Sequence, residues 1–207
     1  MSVVDLRAET RAYGRARLRE LAIDAARDVA LDRGWAAVRM GAVAAAVGIS
    51  RQTLHAEFGT KEELGNAVVM RETSVFFAEM ENRLAEHPGD LAGGVSAVAL
   101  YIFSAVGNNP LLQTILRQPP GGGGGDVSLL PSLTTRGEPL IARPIAILVD
   151  WVEDHWPSAD PTDVRVMAET IVRLELSHIL TPAKDPSDVA KDIAIVACRC
   201  LRLPDPA

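Results

Sequence analysis

Apolar residues recur at intervals of three and four through most of this 207-residue chain, and few segments alternate with period two. The first spacing lays side chains along one stripe of a helix, whereas a half-buried strand needs the second. Runs of β-branched residues are scarce as well. The chain is therefore expected to be all-α, with about nine helices. Hydrophobic residues make up 48% of it, enough to bury a sizeable core.

The punctuation sets the bounds. A first helix is expected at 15–33, with Leu18, Leu21, Ala22, Ala25, Val29 and Ala30 on one stripe and Gly34 as its C-terminal cap. Short helices at 40–47 and 51–57 flank Gly48-Ile49-Ser50. Thr60-Lys61-Glu62-Glu63 is a capping box, Thr60 at the N-cap and Glu63 three residues on. It opens a long helix to 86, stopped at Pro88-Gly89, and further helices are expected at 91–106 and 110–117. Pro119-Pro120 and the five glycines at 121–125 form a loop inside a domain, either a lid over a pocket or an inert insertion. A helix at 138–156 contains Pro144, which kinks it or marks its start. Asp160-Pro161-Thr162-Asp163 and Asp185-Pro186-Ser187-Asp188 open two more, running to 180 and 201. In each, Asp caps, Pro occupies the first turn, and a second Asp meets the positive helix end.

Net charge is −6, but it is unevenly spread. Residues 1–65 carry 10 Lys and Arg against 9 Asp and Glu, and residues 66–207 carry 11 against 18. Arg7, Arg11, Arg15, Arg17 and Arg19 stand near the start with Glu9 alone among them. An acidic body with one basic end still suits a polyanion that meets that end. This leader is a disordered arm along DNA or a solvated tail or helix extension. It lacks the apolar core of a signal peptide, and no apolar run reaches the ~18 residues of a membrane span, so a cytoplasmic protein is expected. Cys198 and Cys200 are read as small apolar side chains of a helix, with a thiol sensor as the lesser reading. His55, His87, His155 and His178 are scattered, the glycine run lacks the Lys-Ser/Thr of a phosphate loop, and no nucleophile motif is present. No enzyme, metal or cofactor is expected.

Residues 40–58 carry the functional signal. Ala44 and Ala45 allow two helices to approach, and Gly48 supplies the left-handed turn between them. Val43, Val47, Ile49 and Leu54 face inward, and Ser50 caps the second helix. That arrangement leaves Arg51, Gln52, Thr53 and His55 exposed on its first turns. A helix-turn-helix presents such residues to base edges in the major groove, Arg to guanine, Gln to adenine, Thr to a thymine methyl or a phosphate. A plain helical hairpin with a polar face would carry the same pattern.

Residues 15–70 resemble the N-terminal domain of the tetracycline-repressor-like (TetR) family, through Ala25-Ala26, Gly34-Trp35, Val43-Ala44, Gly48-Ile49-Ser50, Thr53-Leu54, Phe58-Gly59 and Lys61-Glu62-Glu63-Leu64. The resemblance implies that 51–55 form the recognition helix and that Thr60 and Lys61 grip a phosphate, which a helix N-terminus favours. This chain has His55 where the family usually has Tyr, and Arg39 where it tends to have Thr; Arg39 is then a phosphate contact rather than a cap. Glu57 would repel a nearby phosphate. The implied division is an arm at 1–14, a helix-turn-helix domain at 15–65, and an effector-binding and dimerisation domain at 66–207.

Within the last, the likeness is confined to architecture and to stretches such as Arg136-Gly137-Glu138-Pro139-Leu140 and Val172-Arg173-Leu174. It implies a homodimer through the last two long helices, by way of Val166, Ile171, Leu174, Ile179, Val189, Ile193, Val196 and Ala197; an internal core face is the competing reading. It also implies an effector pocket, whose candidate lining is Phe103, Leu111, Leu112, Ile115, Leu116, Leu148 and Trp151. Such a lining suits a hydrophobic small molecule. The expected function is a repressor released from a palindromic double-stranded DNA operator by that effector. The alternative is a helical ligand-binding protein with a vestigial helix-turn-helix.

Overall fold

The computed structural model describes residues 3–110 and 138–204. These form eight α-helices: α1 (Val3–Arg33), α2 (Met40–Ala46), α3 (Arg51–Phe58), α4 (Lys61–Ala85), α5 (Leu91–Asn108), α6 (Glu138–His155), α7 (Pro161–Leu180) and α8 (Pro186–Cys200). A single 3₁₀ turn, Trp35–Ala37, joins α1 to α2. No strand occurs among the described residues. The expected helix at 110–117, the glycine run and Arg136-Gly137 lie outside them.

Helix α1 begins well ahead of the expected residue 15, so the leader is a helix extension. Elsewhere the bounds follow the punctuation. Asp160 accepts from the Thr162 backbone N–H at 2.7 Å, and Asp185 from that of Ser187 at 2.9 Å. Those bonds hold both carboxyls below their ordinary range, for Asp160 chiefly the bond from the Thr162 backbone and for Asp185 chiefly the one from the Ser187 side chain. Helix α6 continues through Pro144.

The chain divides into two compact units, with the boundary inside α4 between Glu72 and Thr73. The first unit packs α1, α2, α3 and the start of α4 around Ala22, Ala26, Ala30, Trp35, Val43, Leu54, Phe58 and Leu64. The buried stripe of α1 is Ala22, Ile23, Ala26 and Ala30, while Leu21 is exposed. Three alanines in that stripe allow close approach, and Ile23 adds a larger buried side chain. Of the two alanines expected between α2 and α3, Ala44 is buried and Ala45 exposed; Val47 and Ile49 are half-buried. Arg71 of α4 pairs with Glu20 and, at 3.8 Å, with Asp24, and Arg27 pairs with Glu72. Those pairs clamp α1 to α4 where the first unit ends.

The second unit packs α5 to α8 and the rest of α4 around one continuous apolar core. Helix α5 lies mainly against α8, and α7 lies against both α6 and α8. Gly94 of α5 is needed for close approach: a Cβ there would sit 2.8 Å from Cη2 of Trp151 on α6. Helix α5 has the 18 residues and the mean hydropathy, 1.5, of a membrane span, which the sequence reading did not credit to any segment. Leu91, Val95, Val98, Ala99, Ile102 and Val106 of that helix are buried in the core of this unit.

Candidate nucleic-acid interface

The short helix α3 owes its position to the turns at its ends. Gly48 takes φ 74°, the left-handed turn expected between α2 and α3. Ser50 caps α3: its Oγ accepts from the Thr53 backbone N–H at 3.0 Å and lies 2.8 Å from Thr53 Oγ1. Leu54 and Phe58 are the buried side chains of the helix. Arg51, Gln52, Thr53 and His55 are all exposed, on the first turns after the cap.

His55 is held on both ring edges. Its Nδ1 lies 2.7 Å from the Gly59 carbonyl, and its Nε2 lies 3.4 Å from Nε of Arg51. The tautomer that satisfies both donates from Nδ1 and accepts at Nε2. His55 thus ties the helix C-terminus to the side chain at its N-terminus. Arg39 is the N-cap of α2 without a side-chain cap bond; its guanidinium donates to the carbonyls of Ala36 and, at 3.2 Å, Val38.

The start of α4 is a reciprocal box. Thr60 Oγ1 accepts from the Glu63 N–H at 3.1 Å, and Glu63 Oε2 accepts from the Thr60 N–H at 2.8 Å. Gly59, at φ 74°, is required here twice, since a Cβ would also fall 2.1 Å from Glu63 Oε2. The Lys61 ammonium stands 5.4 Å from the Trp35 ring centroid. Arg39, Ser50, Arg51, Gln52, Thr53, His55, Thr60 and Lys61 therefore all lie in the first unit, on α3, at the first residue of α4 and at the caps that precede α2, α3 and α4.

Glu57 was the residue that argued against an anion. Its carboxylate accepts from Arg15 Nε at 2.7 Å and Arg19 Nη1 at 3.4 Å. Arg19 also lies over the Phe58 ring, 4.5 Å from its centroid. Sequence spacing alone gives no signal for contacts forty residues apart.

In the second unit, Phe103 lines a cavity of about 150 Å³ with Val106, Ile179, Val189, His178 and Lys184. The Lys184 ammonium is bound to Asp192 at 2.6 Å. Leu148 and Trp151 are buried in the core instead of lining that cavity. Trp151 is packed by Gly94, His155 and Trp156. Leu111, Leu112, Ile115 and Leu116 lie outside the described residues. Sequence reasoning missed Glu175 of α7. It is 3% exposed, its Oε1 has no hydrogen-bond partner among the described residues, and burial pushes its carboxyl up to about 8. No group of three or more His, Cys, Asp and Glu side chains that could hold a metal ion is found among the described residues.

The matches to known proteins follow the same division. Residues 22–68 match the family described as bacterial regulatory proteins, tetR family, and residues 90–199 match the bacterial tetracyclin repressor C-terminal domain. The HTH-type transcriptional regulator AlkX of Mycobacterium tuberculosis is 32% identical over 180 residues, 87% of this chain and 83% of that protein. The crystal structure of the TetR family repressor AlkX from a Dietzia strain, implicated in biodegradation of n-alkanes, superposes with a TM-score of 0.62 at 26% identity, over 89% of this chain and 96% of that one. A TetR-like regulator from Rhodococcus sp. RHA1 shares the fold, with a TM-score of 0.55 at 19% identity over 89% and 96%.

Proposed function

Because the chain belongs to the tetR family of bacterial transcription regulators and not to an enzyme family, we propose that it is a repressor that binds a palindromic operator as a homodimer and leaves it when a hydrophobic small molecule binds. One observation carries the DNA half of this reading: Arg51, Gln52 and Thr53 are exposed together on the first turn of a capped helix. Bidentate Arg–guanine and Gln–adenine bonds need that placement. Thr60 keeps its hydroxyl proton for a phosphate, because its oxygen only accepts within the capping box. Lys61 and Arg39 are the further phosphate candidates. With Glu57 paired to two arginines, the motive for a vestigial helix-turn-helix weakens.

The effector is proposed to enter the second unit at the Phe103 cavity. The walls formed by Phe103, Val106, Ile179 and Val189 suit an aliphatic molecule, and the Dietzia relative's link to n-alkane degradation points the same way. At about 150 Å³ it is smaller than the several hundred Å³ of most ligand sites, so binding requires it to widen. Helix α4 belongs to both units and is clamped to α1 through Arg71 and Glu72, which suits it to pass such a change on.

The dimer contact is proposed on α7 and α8. Ile171, Ile179, Val189, Ile193 and Ala197 belong to the protomer's own core. Exposed Val166 and Leu180, with half-buried Leu174 and Val196, are left to meet a mate.

Selection of genomic fragments on the purified protein tests the reading. A palindromic motif is expected, lost in Arg51→Ala plus Gln52→Ala, with binding weakening steeply in salt. A folded dimer that enriches no fragment at low salt would refute it. Medium-chain alkanes should raise Tm and release the selected fragment; response to polar ligands alone would remove the hydrophobic effector.

A further inference from the structure

The N-terminal extension of α1 is a helix without a core of its own. Every residue from Glu9 to Arg17 is exposed. Such a stretch gains little from burial, and an isolated helix of this length is marginal in water. What it does carry is charge in register. Arg11, Arg15 and Arg19 recur every fourth residue, so they share one face at steps of ~6 Å along the axis. With Ala12, Ala16 and Glu57 they line an open cleft of about 570 Å³.

Glu57 does not cancel this charge. Its side chain is 14% exposed, while those of Arg15 and Arg19 are 72% and 44% exposed, so the carboxylate is shielded and the guanidiniums face outward. Arg15 reaches Glu57 through Nε, which leaves its four terminal N–H donors for another acceptor. Arg15 and Arg19 against the one shielded carboxylate of Glu57 leave the cleft cationic. Glu57 also belongs to α3, six residues after Arg51, or ~9 Å along the helix. Its ion pairs therefore fasten the cationic face to the C-terminal end of α3, within one compact unit.

We propose that the Arg11–Arg15–Arg19 face is a second DNA-backbone site, which grips phosphates flanking the bases read by α3 and is docked there by Glu57. The proposal rests on the operator-binding reading above. DNA is the occupant because the cleft adjoins the recognition helix and because a guanidinium pairs with phosphate in bidentate fashion. Glu57 is then a positioning residue, and the extension sets affinity and register without reading sequence.

The full-length protein and a fragment selected on it decide the matter, through the slope of log affinity against log salt. Arg11→Ala should flatten that slope by about 1 and weaken all sequences alike. Arg17→Ala removes the same charge from the same exposed helix but off the cleft, and should change the slope by much less. Arg51→Ala plus Gln52→Ala should erase sequence preference and keep the slope. Equal effects of Arg11→Ala and Arg17→Ala, or none from either, would overturn the cleft while leaving operator binding intact. Failure of the wild-type protein to select any DNA would overturn both.

Discussion

Both units of this chain tie charge into surface ion pairs, the second through Arg83–Glu79, Arg173–Glu169 and Lys184–Asp192 among others, but they differ in what they bury. The first keeps charge at the surface and knots it: Arg15 and Arg19 to Glu57, Arg71 to Glu20 and Asp24, Arg27 to Glu72. The second also seals one carboxyl, Glu175, inside its apolar core, with an oxygen that has no partner among the described residues. For α3, whose Glu57 takes two of the first unit's pairs, helix length is the reason. Helix α3 has eight residues and buries two side chains; α7 has twenty and buries seven residues along its length. A short helix cannot be held by burial alone, so caps, turns and ion pairs must position it. A long one is held so firmly by its core that it tolerates an unsatisfied group.

The largest expected effect breaks this comparison at its thin side. Leu54 is fully buried, and Leu54→Ala should cost ~2–5 kcal/mol. Since α3 has so little else, hydrogen exchange should show protection lost over 22–69 and kept in the core of α5, α7 and α8. Simultaneous loss across the chain would mean that the two units unfold as one.

Glu175 tests the thick side. Its carboxyl stands at about 8 in the folded protein, raised by burial from an ordinary 4.5. Below about 4.5 it is neutral folded and unfolded alike. Between there and about 8 the unfolded chain releases its proton and the folded one holds it, so stability falls as pH rises, by ~1.4 kcal/mol per unit at most. Glu175→Gln cannot ionise and escapes this loss. Its Tm advantage over the wild type should grow from pH 5 to pH 8; parallel Tm curves would show that Glu175 is solvated or paired when folded.

Gly94→Ala is expected to cost ~1–3 kcal/mol, because the new Cβ collides with the Trp151 ring in a packed core. The near-ultraviolet signal of tryptophan should change with it. A methyl accepted without loss would mean that the second core is looser than α5 and α6 suggest.

What was legible in the sequence divides along the same line. Gly48, Ser50, Thr60 with Glu63, Asp160-Pro161 and Asp185-Pro186 act within a few residues, so most helix bounds, those of α3 included, could be located from the chain alone. Contacts between distant residues left no such mark. Glu57 looked like a repulsive charge until Arg15 and Arg19 were found against it. The apolar faces of α7 and α8 read equally well as interface or core, and most of the residues named from them prove to be core. Leu148 and Trp151 looked like pocket lining for the same reason: apolar spacing says that a side chain is inward, not what it faces. Glu175 gave no signal, because an acid among apolar neighbours on a helix ordinarily points to water.

The smallest effect sharpens the first half of the comparison. Ser50→Ala removes the side-chain acceptor for the Thr53 N–H and the partner of its hydroxyl, at ~1 kcal/mol. Neither Arg51 nor Gln52 is altered. If α3 is positioned by its caps, its first turn should fray, and affinity for the selected fragment should fall about fivefold, the equivalent of ~1 kcal/mol, with base preference kept. Anisotropy titrations against the fragment and against single-base variants would measure both. A changed base preference would mean that Ser50 itself reads the DNA, and an unchanged affinity would mean that Leu54 and Phe58 suffice to hold the helix.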